Sequence, residues 1–399
     1  MKKILSIFLI FSLIACTKEP ELVTNKDNTD NIYYDSVVDI FDEYIPMMNT
    51  MVRLKATEGN ANKLYDISYK EMEKWHKLLD SNHYYRDDED NLIANIKIIN
   101  DSYGSNVPMQ VSQDLIDVFD EMIKMMEMTK GYFNPFLGTV SELWKPKLSS
   151  FPIHNEDPTK EEIQEAMACT ISLDQVEDTL IIDHENKTVQ FNEVKGCNSK
   201  VSINLGAFSK GYIADKVTSI LKQEKGTWLL DAGMSTVVGY DSSNSHTWLV
   251  GARSPYNKAS SLYALRLYSN EYLSTSGDDY QYFLIDNGDG TNTVRCHILN
   301  PFTGYSETYY RSINVLTEGY GMISDVLSTA LYSIEDQKLA NEIIKTFEKE
   351  FNTNISVAYT IETSQELKKV KLLLDENFKS HLLDDYITEH IEKIEVIEE

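Results

Sequence analysis

The stretch Asn204-Leu205-Gly206-Ala207-Phe208-Ser209-Lys210-Gly211-Tyr212 leads from a glycine-containing loop into a segment, 210–222, that predicts a helix. Glycine lets the backbone approach a ligand closely. The first N–H groups of a helix lack intrahelical acceptors and can bind phosphate. With Lys210 beside these groups, the junction predicts a site for a phosphate-containing ligand.

The elements around this junction are a mixture of helices and strands. Helices are predicted at 61–79, 113–129, 158–168 and 323–334. Strands of one sheet are predicted at 227–240, 248–253 and 261–267. The acidic, glycine-containing stretch 286–290 predicts a hairpin turn, because its spacing does not fit an EF-hand. The pattern predicts an α+β protein.

Four other segments place small, polar and charged residues between apolar elements. They are Gly131–Gly138 with Leu143-Trp144, Ser274–Tyr280, His297–Gly304 and Ser324–Thr329. None is a Walker loop, a Rossmann fingerprint, an HExxH motif or a nucleophile elbow. Each segment alone is therefore a weak indication of function.

Among these segments, the pair Asp325 and Thr329 gives the clearest physical indication of a binding site. They are four residues apart on a predicted helix, so both oxygens lie on one face. A carboxylate and a hydroxyl suit a hard cation such as Mg²⁺. The alternative is a hydrogen bond between the two side chains on a solvated face.

Taken together and in order, the segments resemble the ApbE-like FAD:protein FMN transferases, from about Met48 to beyond Ile334. The family's motifs correspond to Met48–Thr50, Gly131–Trp144, Asn204–Tyr212, Gly233-Met234, Thr275–Tyr280, His297–Gly304 and Ser324–Ala330. The chain departs from them in having Asn134, Asn204 and Asn300 where the family has Asp, and in one additional Asp within Thr275–Tyr280.

The resemblance implies a two-lobed enzyme with FAD between the lobes. It would transfer FMN from FAD to a Ser or Thr hydroxyl of an acceptor protein and release AMP. Mg²⁺ would be bound by the side chains of Asp325 and Thr329 and by the backbone oxygen of Ala207. The FAD site would be lined by Met48, Tyr132, Phe133, Asn134, Asn204, Lys210 and Ile298. His297 or Asp278, near the pyrophosphate, would take the proton of the acceptor hydroxyl.

The three asparagines leave two rival functions open. An amide has the shape of a carboxylate without its charge, so the hydrogen bonds can survive. If one of the family's carboxylates is a base, however, activity is in doubt. The rivals are an FAD pyrophosphatase, with water as acceptor, and a lipoprotein that binds flavin without chemistry. An adhesion or structural lipoprotein does not account for the Lys-Gly loop and the Asp325 helix.

The net charge of −26 limits the partners of this 399-residue chain. A general nucleic-acid binder needs a basic face to release counterions, so none is expected. Electrostatic docking on anionic lipid is equally disfavoured. A dinucleotide would be repelled by the overall field and would need a local site with cations.

The N-terminus predicts export and lipidation. Lys2-Lys3 is followed by an apolar run, 4–14, that is shorter than the about 20 residues of a membrane span. The run ends in Leu13-Ile14-Ala15-Cys16, which resembles a bacterial lipobox. Residues 1–15 are therefore expected to be a signal peptide and Cys16 the lipidated residue of a membrane lipoprotein on the extracytoplasmic face.

The remaining chain divides into three parts. Residues 16–33 are polar and predict a flexible tether, 34–380 the transferase domain, and 381–399 a charged helical tail. The other cysteines, Cys169, Cys197 and Cys296, fit no zinc or disulfide framework by spacing. They are interpreted as structural, and disulfide formation stays open.

Overall fold

The computed structural model describes the backbone of residues 34–38, 41–42, 45–46, 52–56, 61–233 and 235–397, and the side chains of 52–56, 63–233 and 235–397. The α-helices are α1 Ala61–Leu79, α2 Ile96–Asp101, α3 Gln113–Met128, α4 Gly138–Trp144, α5 Lys160–Met167, α6 Val176–Thr179, α7 Ser209–Leu221, α8 Gly321–Tyr332, α9 Gln337–Phe351 and α10 Glu376–His381.

The strands are β1 Tyr34–Val38, β2 Phe41–Asp42, β3 Ile45–Pro46, β4 Val52–Ala56, β5 Met109–Gln110, β6 Leu180–Asp183, β7 Thr188–Phe191, β8 Thr227–Ala232, β9 Thr236–Asp241, β10 Trp248–Ser254, β11 Asn257–Leu267, β12 Glu271–Gly277, β13 Tyr282–Asp286, β14 Asn292–Cys296, β15 Ser312–Glu318, β16 Ile355–Ser364, β17 Lys369–Leu374 and β18 Ile391–Val396. The mixture confirms the α+β class.

A nine-stranded sheet is the centre of the fold. Its order is β1-β4-β8-β9-β12-β15-β16-β17-β18, and every neighbouring pair is antiparallel except β17 with β18. Successive side chains of a strand point to opposite faces. Trp228 and Leu230 of β8 therefore pack into the larger hydrophobic core on one face, and Leu229 packs into a second core on the other.

Helices α1, α7 and α8 cover the first face. α1 runs antiparallel to α7, as shown by a Lys63–Glu224 ion pair of 2.7 Å at one end and an edge-to-face contact of Trp75 with Tyr212 near the other. α7 and α8 cross at Gly211 and Gly321, where a Cβ on Gly211 would overlap the Gly321 carbonyl oxygen. The two helix backbones can approach this closely because neither residue has a side chain.

Strands β10 and β11 cover the second face as a separate two-stranded sheet. The sequence prediction that they join the strands at 227–240 in one sheet is therefore wrong. The physical reason is that β9 already pairs with β8 on one edge and with β12 on the other, which leaves no edge for β10. β10 instead packs face to face, with the indole of Trp248 against Gly239 of β9.

A third group of elements lies beside the sheet. The β13–β14 hairpin turns at the stretch 286–290, which confirms the predicted hairpin turn. Phe283 of this hairpin stacks on Trp144 at the end of α4, and both are fully buried. α5 packs against α4 and starts with a capping box of Thr159 and Glu162.

Cys169 and Cys197 form a disulfide, which answers the question that their spacing left open. The bond ties the loop after α5 to the loop that leads into residues 201–209. Cys296 is a buried free thiol. Burial raises its pKa to about 11, so it stays protonated and unreactive.

The C-terminal segment is not the predicted helical tail. Residues 391–396 form β18, which pairs in parallel with β17 at the edge of the large sheet. Its Ile391, Ile394 and Val396 pack against the second core, and β-branched residues favour this pleated environment over a helix. Among the described helices, none is long and apolar enough to cross a membrane. The predicted signal peptide, Cys16 and tether lie outside the described residues.

Candidate active site

One cavity of about 1010 Å³ collects nearly all of the residues that the sequence singled out. It opens where α7 and α8, the ends of β9 and β12, the hairpin β10–β11 and the loop before α4 converge. The predicted residues that line it are Tyr132, Phe133, Asn134, Asn204, Ala207, Lys210, His297, Ile298, Asp325 and Thr329. Met48 lies outside the described residues.

Asp325 and Thr329 both face the cavity from α8, as their spacing predicted. Asp325 is 2% exposed, and its Oδ2 accepts the backbone N–H of Gly211 at 3.0 Å. Among the described residues, its Oδ1 has only a 3.4 Å contact from the Ser235 hydroxyl, so this oxygen can take a further partner. The i,i+4 hydrogen bond proposed as the alternative is not formed, because Thr329 contacts the hydroxyl of Ser276 at 3.1 Å.

The donor chemistry fits a hard cation. A carboxylate oxygen of Asp325, the hydroxyl of Thr329 and the backbone carbonyl of Ala207 line one cavity. Within the part of the chain that the structure describes, no group of three or more His, Cys, Asp or Glu side chains could hold a metal. Mg²⁺ usually takes few protein ligands and completes its shell with water and substrate phosphates. These residues fit such an ion better than a transition metal.

Lys210 and the start of α7 face the same space. The ammonium of Lys210 donates to the carbonyl of Gly206 at 2.9 Å, which holds the side chain over the glycine loop. The residue before α7, Phe208, provides no side-chain cap for the helix. The junction thus presents the Lys210 cation to the cavity, as the sequence predicted. The N–H groups of Ser209 and Gly211 at the start of α7 already donate to the Leu205 carbonyl and the Asp325 carboxylate.

An aromatic and aliphatic wall lies beside this polar junction. Phe133 stacks on Phe208 at 6.2 Å, and Tyr132 meets the exposed ring of Phe302 edge to face at 4.9 Å. Phe133 and Ile298 belong to the main hydrophobic core and also line the cavity. They therefore act both as core residues and as an apolar surface for a flat ring.

His297 is placed to accept a proton. Its Nδ1 lies 3.4 Å from the carbonyl oxygen of Gln281, which can only accept, so Nδ1 carries the hydrogen and Nε2 has a free lone pair. Loss of hydration in the surrounding protein, and next the Lys210 ammonium, lower the pKa of His297. His297 is nevertheless exposed in the cavity, and both effects favour a neutral imidazole at pH 7.

Asp278 does not line the cavity, and its predicted catalytic role is corrected. The side chain is 4% exposed and bound to Nε of Arg311 at 2.6 Å. Burial raises the pKa of Asp278 to about 6 in spite of Arg311. The neighbouring Asp279 faces the cavity instead and pairs with Arg253 at 3.2 Å. Both residues lie in the turn after β12, where Arg311 binds Asp278 away from the cavity and leaves Asp279 to face it.

The three asparagines form the same local structure. Each side-chain Oδ1 accepts the backbone N–H two residues later at 2.9 Å, in Asn134 with Phe136, Asn204 with Gly206 and Asn300 with Phe302. These are Asx turns, which amides and carboxylates form equally well. Of the three, Asn300 does not line the cavity. The asparagines therefore keep the turn geometry that a carboxylate would provide.

Two of the asparagines also use their amide hydrogens. Nδ2 of Asn134 donates to the carbonyl of Ile171 at 2.9 Å, and Nδ2 of Asn300 donates to the carboxylate of Glu307 at 2.8 Å. An ionised aspartate could not donate in either place. Both positions favour Asn in this chain for a structural reason, which weakens the case for lost catalysis.

The sequence reasoning missed a histidine cluster at the end of α1. Asp80 accepts from Nδ1 of His83 at 2.9 Å and from the hydroxyl of Tyr85 at 2.7 Å, and His76 contacts that hydroxyl at 2.9 Å. His76, Asp80 and His83 line the cavity. The spacing of these three residues is visible in the sequence. Their position near the 204–210 loop follows only from the antiparallel packing of α1 on α7.

The cavity differs in charge from the rest of the chain. Among the residues that the structure describes, six Lys or Arg and five Asp or Glu side chains line it, together with four of the chain's eight histidines. The lining is thus close to neutral or slightly positive within a protein of charge −26. This is the local compensation that a pyrophosphate-containing ligand needs.

Comparisons with known proteins agree with this geometry. The chain is 23% identical over 351 residues to the FAD:protein FMN transferase of Haemophilus influenzae, covering 85% of this chain and 89% of that one. It is 25% identical over 245 residues to the enzyme of the same name from Klebsiella pneumoniae, covering 60% of this chain and 68% of the relative.

Solved structures share the fold. The ApbE protein of Thermotoga maritima superposes with a TM-score of 0.62 at 23% identity, covering 84% of this chain and 98% of that chain. The flavin transferase ApbE of Vibrio cholerae superposes with a TM-score of 0.61 at 19% identity, covering 88% and 100%. The model of the ApbE family matches residues 48–351, about three quarters of the sequence. This chain belongs to the ApbE family.

Proposed function

We propose that this protein is an FAD:protein FMN transferase that attaches FMN to a Ser or Thr hydroxyl of an acceptor protein. The observation that carries the proposal is the single cavity in which Lys210, His297 and Asp325 meet around a nearly neutral lining. Membership of the ApbE family and similarity to transferases of that name support the same reaction.

The chemistry is a phosphoryl substitution. The acceptor hydroxyl oxygen attacks the phosphorus on the FMN side of FAD, the bond to the bridging oxygen breaks, and AMP leaves with that oxygen. Nε2 of His297 takes the hydroxyl proton, since it is unprotonated and its ring is held through Nδ1. The Lys210 ammonium binds the phosphate oxygens.

Mg²⁺ is proposed as the resident cation. Ala207, Asp325 and Thr329 would hold it, and a bound Mg²⁺ neutralises charge on phosphate oxygens. The support is the oxygen-only donor set at a nearly buried carboxylate that has one weakly engaged oxygen. Asp325 itself is further held by Gly211, so the carboxylate has a defined orientation.

A location on the extracytoplasmic face of a membrane, through lipid on Cys16, is proposed as well. The pattern Leu13-Ile14-Ala15-Cys16 supports it, and so does the Cys169–Cys197 disulfide, because such bonds persist mainly outside the cytoplasm. Cys16→Ser should move the protein from the membrane fraction to the soluble fraction. Membrane retention of this variant would contradict lipid anchoring.

The function is tested with a chain that starts at Thr17, supplied with FAD and Mg²⁺. The acceptor is first identified among extracted cell proteins as a band with covalent flavin fluorescence and is then purified. Intact mass of the acceptor and release of AMP are measured together. A gain of FMN on the acceptor with equal AMP supports the transferase. AMP without labelled acceptor indicates the pyrophosphatase, and unchanged bound FAD indicates a binding protein.

A further inference from the structure

Strand β10 has a hydrogen-bonding edge that no strand among the described residues occupies. Of the described strands, only β11 pairs with β10. The outer edge of β11 is engaged, since the N–H groups of Leu383 and Thr388 donate to the carbonyls of Ala264 and Leu262. The free edge of β10 is therefore the one that faces away from β11.

This free edge borders the cavity. Consecutive residues 247–251 all line it, as do 258–261 of β11 and 275–277 of β12, whereas the described part of β4 contributes 53 and 55, and β8 contributes 229 and 231. Alternating residues mean that β4 and β8 present one face to the cavity. Consecutive residues mean that the cavity runs along the backbone of β10, beside its edge.

The register identifies the backbone groups at this edge. The carbonyl of Ala264 points away from β10, toward Leu383, so Gly251, which lies opposite Ala264, directs its N–H and C=O away from β11. The pattern alternates, so Leu249, opposite Arg266, does the same. Both residues are exposed, and the side chain of Leu249 is 56% accessible. Two donors and two acceptors thus lie along the cavity wall.

A row of unpaired backbone groups is suited to bind another extended backbone. If the proposed function is right, a hydroxyl of a protein must enter this cavity. An extended segment is the narrowest form of polypeptide and leaves its alternate side chains free to point inward. The free edge in the cavity wall and the proposed reaction therefore both favour an extended polypeptide segment as the ligand.

We propose that the acceptor protein binds as an added strand on the free edge of β10, pairing with Leu249 and Gly251 and directing its Ser or Thr into the cavity. This inference rests on the proposed transferase function. Backbone pairing sets the depth of the hydroxyl, and the side chains around the edge, such as the 43% exposed Tyr280 of the cavity rim, contact neighbouring acceptor residues.

Leu249→Pro tests the edge directly. Proline removes the N–H that points away from β11 and leaves the hydrogen bonds between β10 and β11 in place. Leu249→Ala is the matched control, because it removes the side chain and keeps the N–H. We expect the KM for the purified acceptor to rise about 3- to 10-fold in the proline variant and less than about 2-fold in the alanine variant. The affinity for FAD should stay unchanged in both.

Hydrogen exchange supplies a second measurement that needs no variant. The enzyme is mixed with the acceptor whose flavinylated residue is replaced by Ala, so that the complex persists. Slower exchange of the Leu249 and Gly251 amides on binding supports the added strand. Unchanged exchange in the complex overturns it. Protection already present in the free enzyme would also overturn it, since another part of this chain would then occupy the edge.

The two proposals can fail separately. Wild-type enzyme that labels the acceptor, combined with an unaltered KM in Leu249→Pro, rejects the edge and keeps the transferase. Wild-type enzyme that binds FAD but labels nothing rejects the transferase, and the acceptor edge with it.

Discussion

The two faces of the nine-stranded sheet are covered in opposite ways. On one face, α7 and α8 cross at Gly211 and Gly321, and Asp325 is fixed by the backbone of Gly211. On the other face, the β10–β11 hairpin packs through Trp248 and leaves one backbone edge open to the cavity. The first face holds the Asp325 carboxylate through a backbone hydrogen bond, and the second offers a strand edge that no described strand occupies.

Buried hydroxyls form further hydrogen bonds between the sheet and α8 on the helix-covered face. The hydroxyl of Ser274 contacts those of Thr236 at 2.9 Å and Ser324 at 2.7 Å, and Ser276 contacts Ser328 at 2.9 Å. Buried polar groups of this kind specify one arrangement, because each loses free energy if it is unpaired. The difference between the faces suggests that the small-molecule part of the site is rigid and the protein-binding part is adaptable.

The largest effect is expected from Asp325→Asn, which removes the charge on the helix-covered face and keeps the shape. Transfer should fall by at least about 10³-fold, because the cation loses its carboxylate. The melting temperature should change little, since the amide can still accept from Gly211. Transfer rate, Mg²⁺ titration calorimetry and thermal unfolding are measured. Full activity in this variant would contradict the assignment of Asp325 as a metal ligand.

His297→Gln should reduce kcat by about 10²- to 10⁴-fold with little change in FAD affinity. The pH profile of the wild type adds a sharper measurement. A base acts when deprotonated, so activity falls as pH drops through the pKa of His297. The pKa of His297 is lowered from 6.5. As the pH is reduced, activity should therefore stay constant through pH 6.5 and fall only at a lower pH. Lys210→Met removes a cation and so raises the pKa of His297. The loss of activity should then occur at a higher pH than in the wild type. A wild-type midpoint above pH 6.5 would contradict the assignment.

Gly211→Ala and Gly251→Ala compare the two faces with the same change. At Gly211 the new Cβ overlaps backbone and lies 2.7 Å from Cβ of Asp325, so α7 and α8 must separate. We expect a loss of about 1–3 kcal/mol in the free energy of unfolding. At Gly251 the Cβ meets the Ser261 hydroxyl, which can rotate, and lies 3.1 Å from Cβ of Ser261, so a small shift suffices and the loss should be smaller, about 0.5–1 kcal/mol. Denaturant titration measures the free energy of unfolding of both variants. Equal losses would contradict the proposed difference between the two faces.

The smallest effect is expected from returning asparagines to aspartates. Asn134→Asp places a carboxylate oxygen against the Ile171 carbonyl and should cost about 1–2 kcal/mol of stability. Asn204→Asp keeps its turn and meets no such acceptor among the described residues, so its stability should stay within about 0.5 kcal/mol of the wild type. Thermal unfolding separates the two. A stabilised Asn134→Asp would show that the amide is not structurally required.

Much of the site could be predicted because it depends on short-range order. The Lys210 junction and the Asp325–Thr329 pair each lie within one helix or loop, where spacing fixes direction. Asp278 was placed wrongly because a distant residue, Arg311, binds its carboxylate away from the cavity, and local spacing does not show this contact. The 381–399 segment was predicted to be a charged helix. Its β-branched residues instead form β18, which pairs with β17 at the edge of the large sheet.

The sequence by itself determined the α+β class, the positions of α1, α3, α5, α7 and α8, and two parts of the cavity, the Lys210 junction and the Asp325–Thr329 pair. These follow from periodicity, caps and local spacing, which act within a few residues of the chain. Only the tertiary structure decided that β10 and β11 leave the large sheet, that Cys169 pairs with Cys197, and that the α1 histidines join the site. Those outcomes depend on which strand edges are already paired and which helices pack antiparallel, and such competition among distant segments is not encoded in any single stretch.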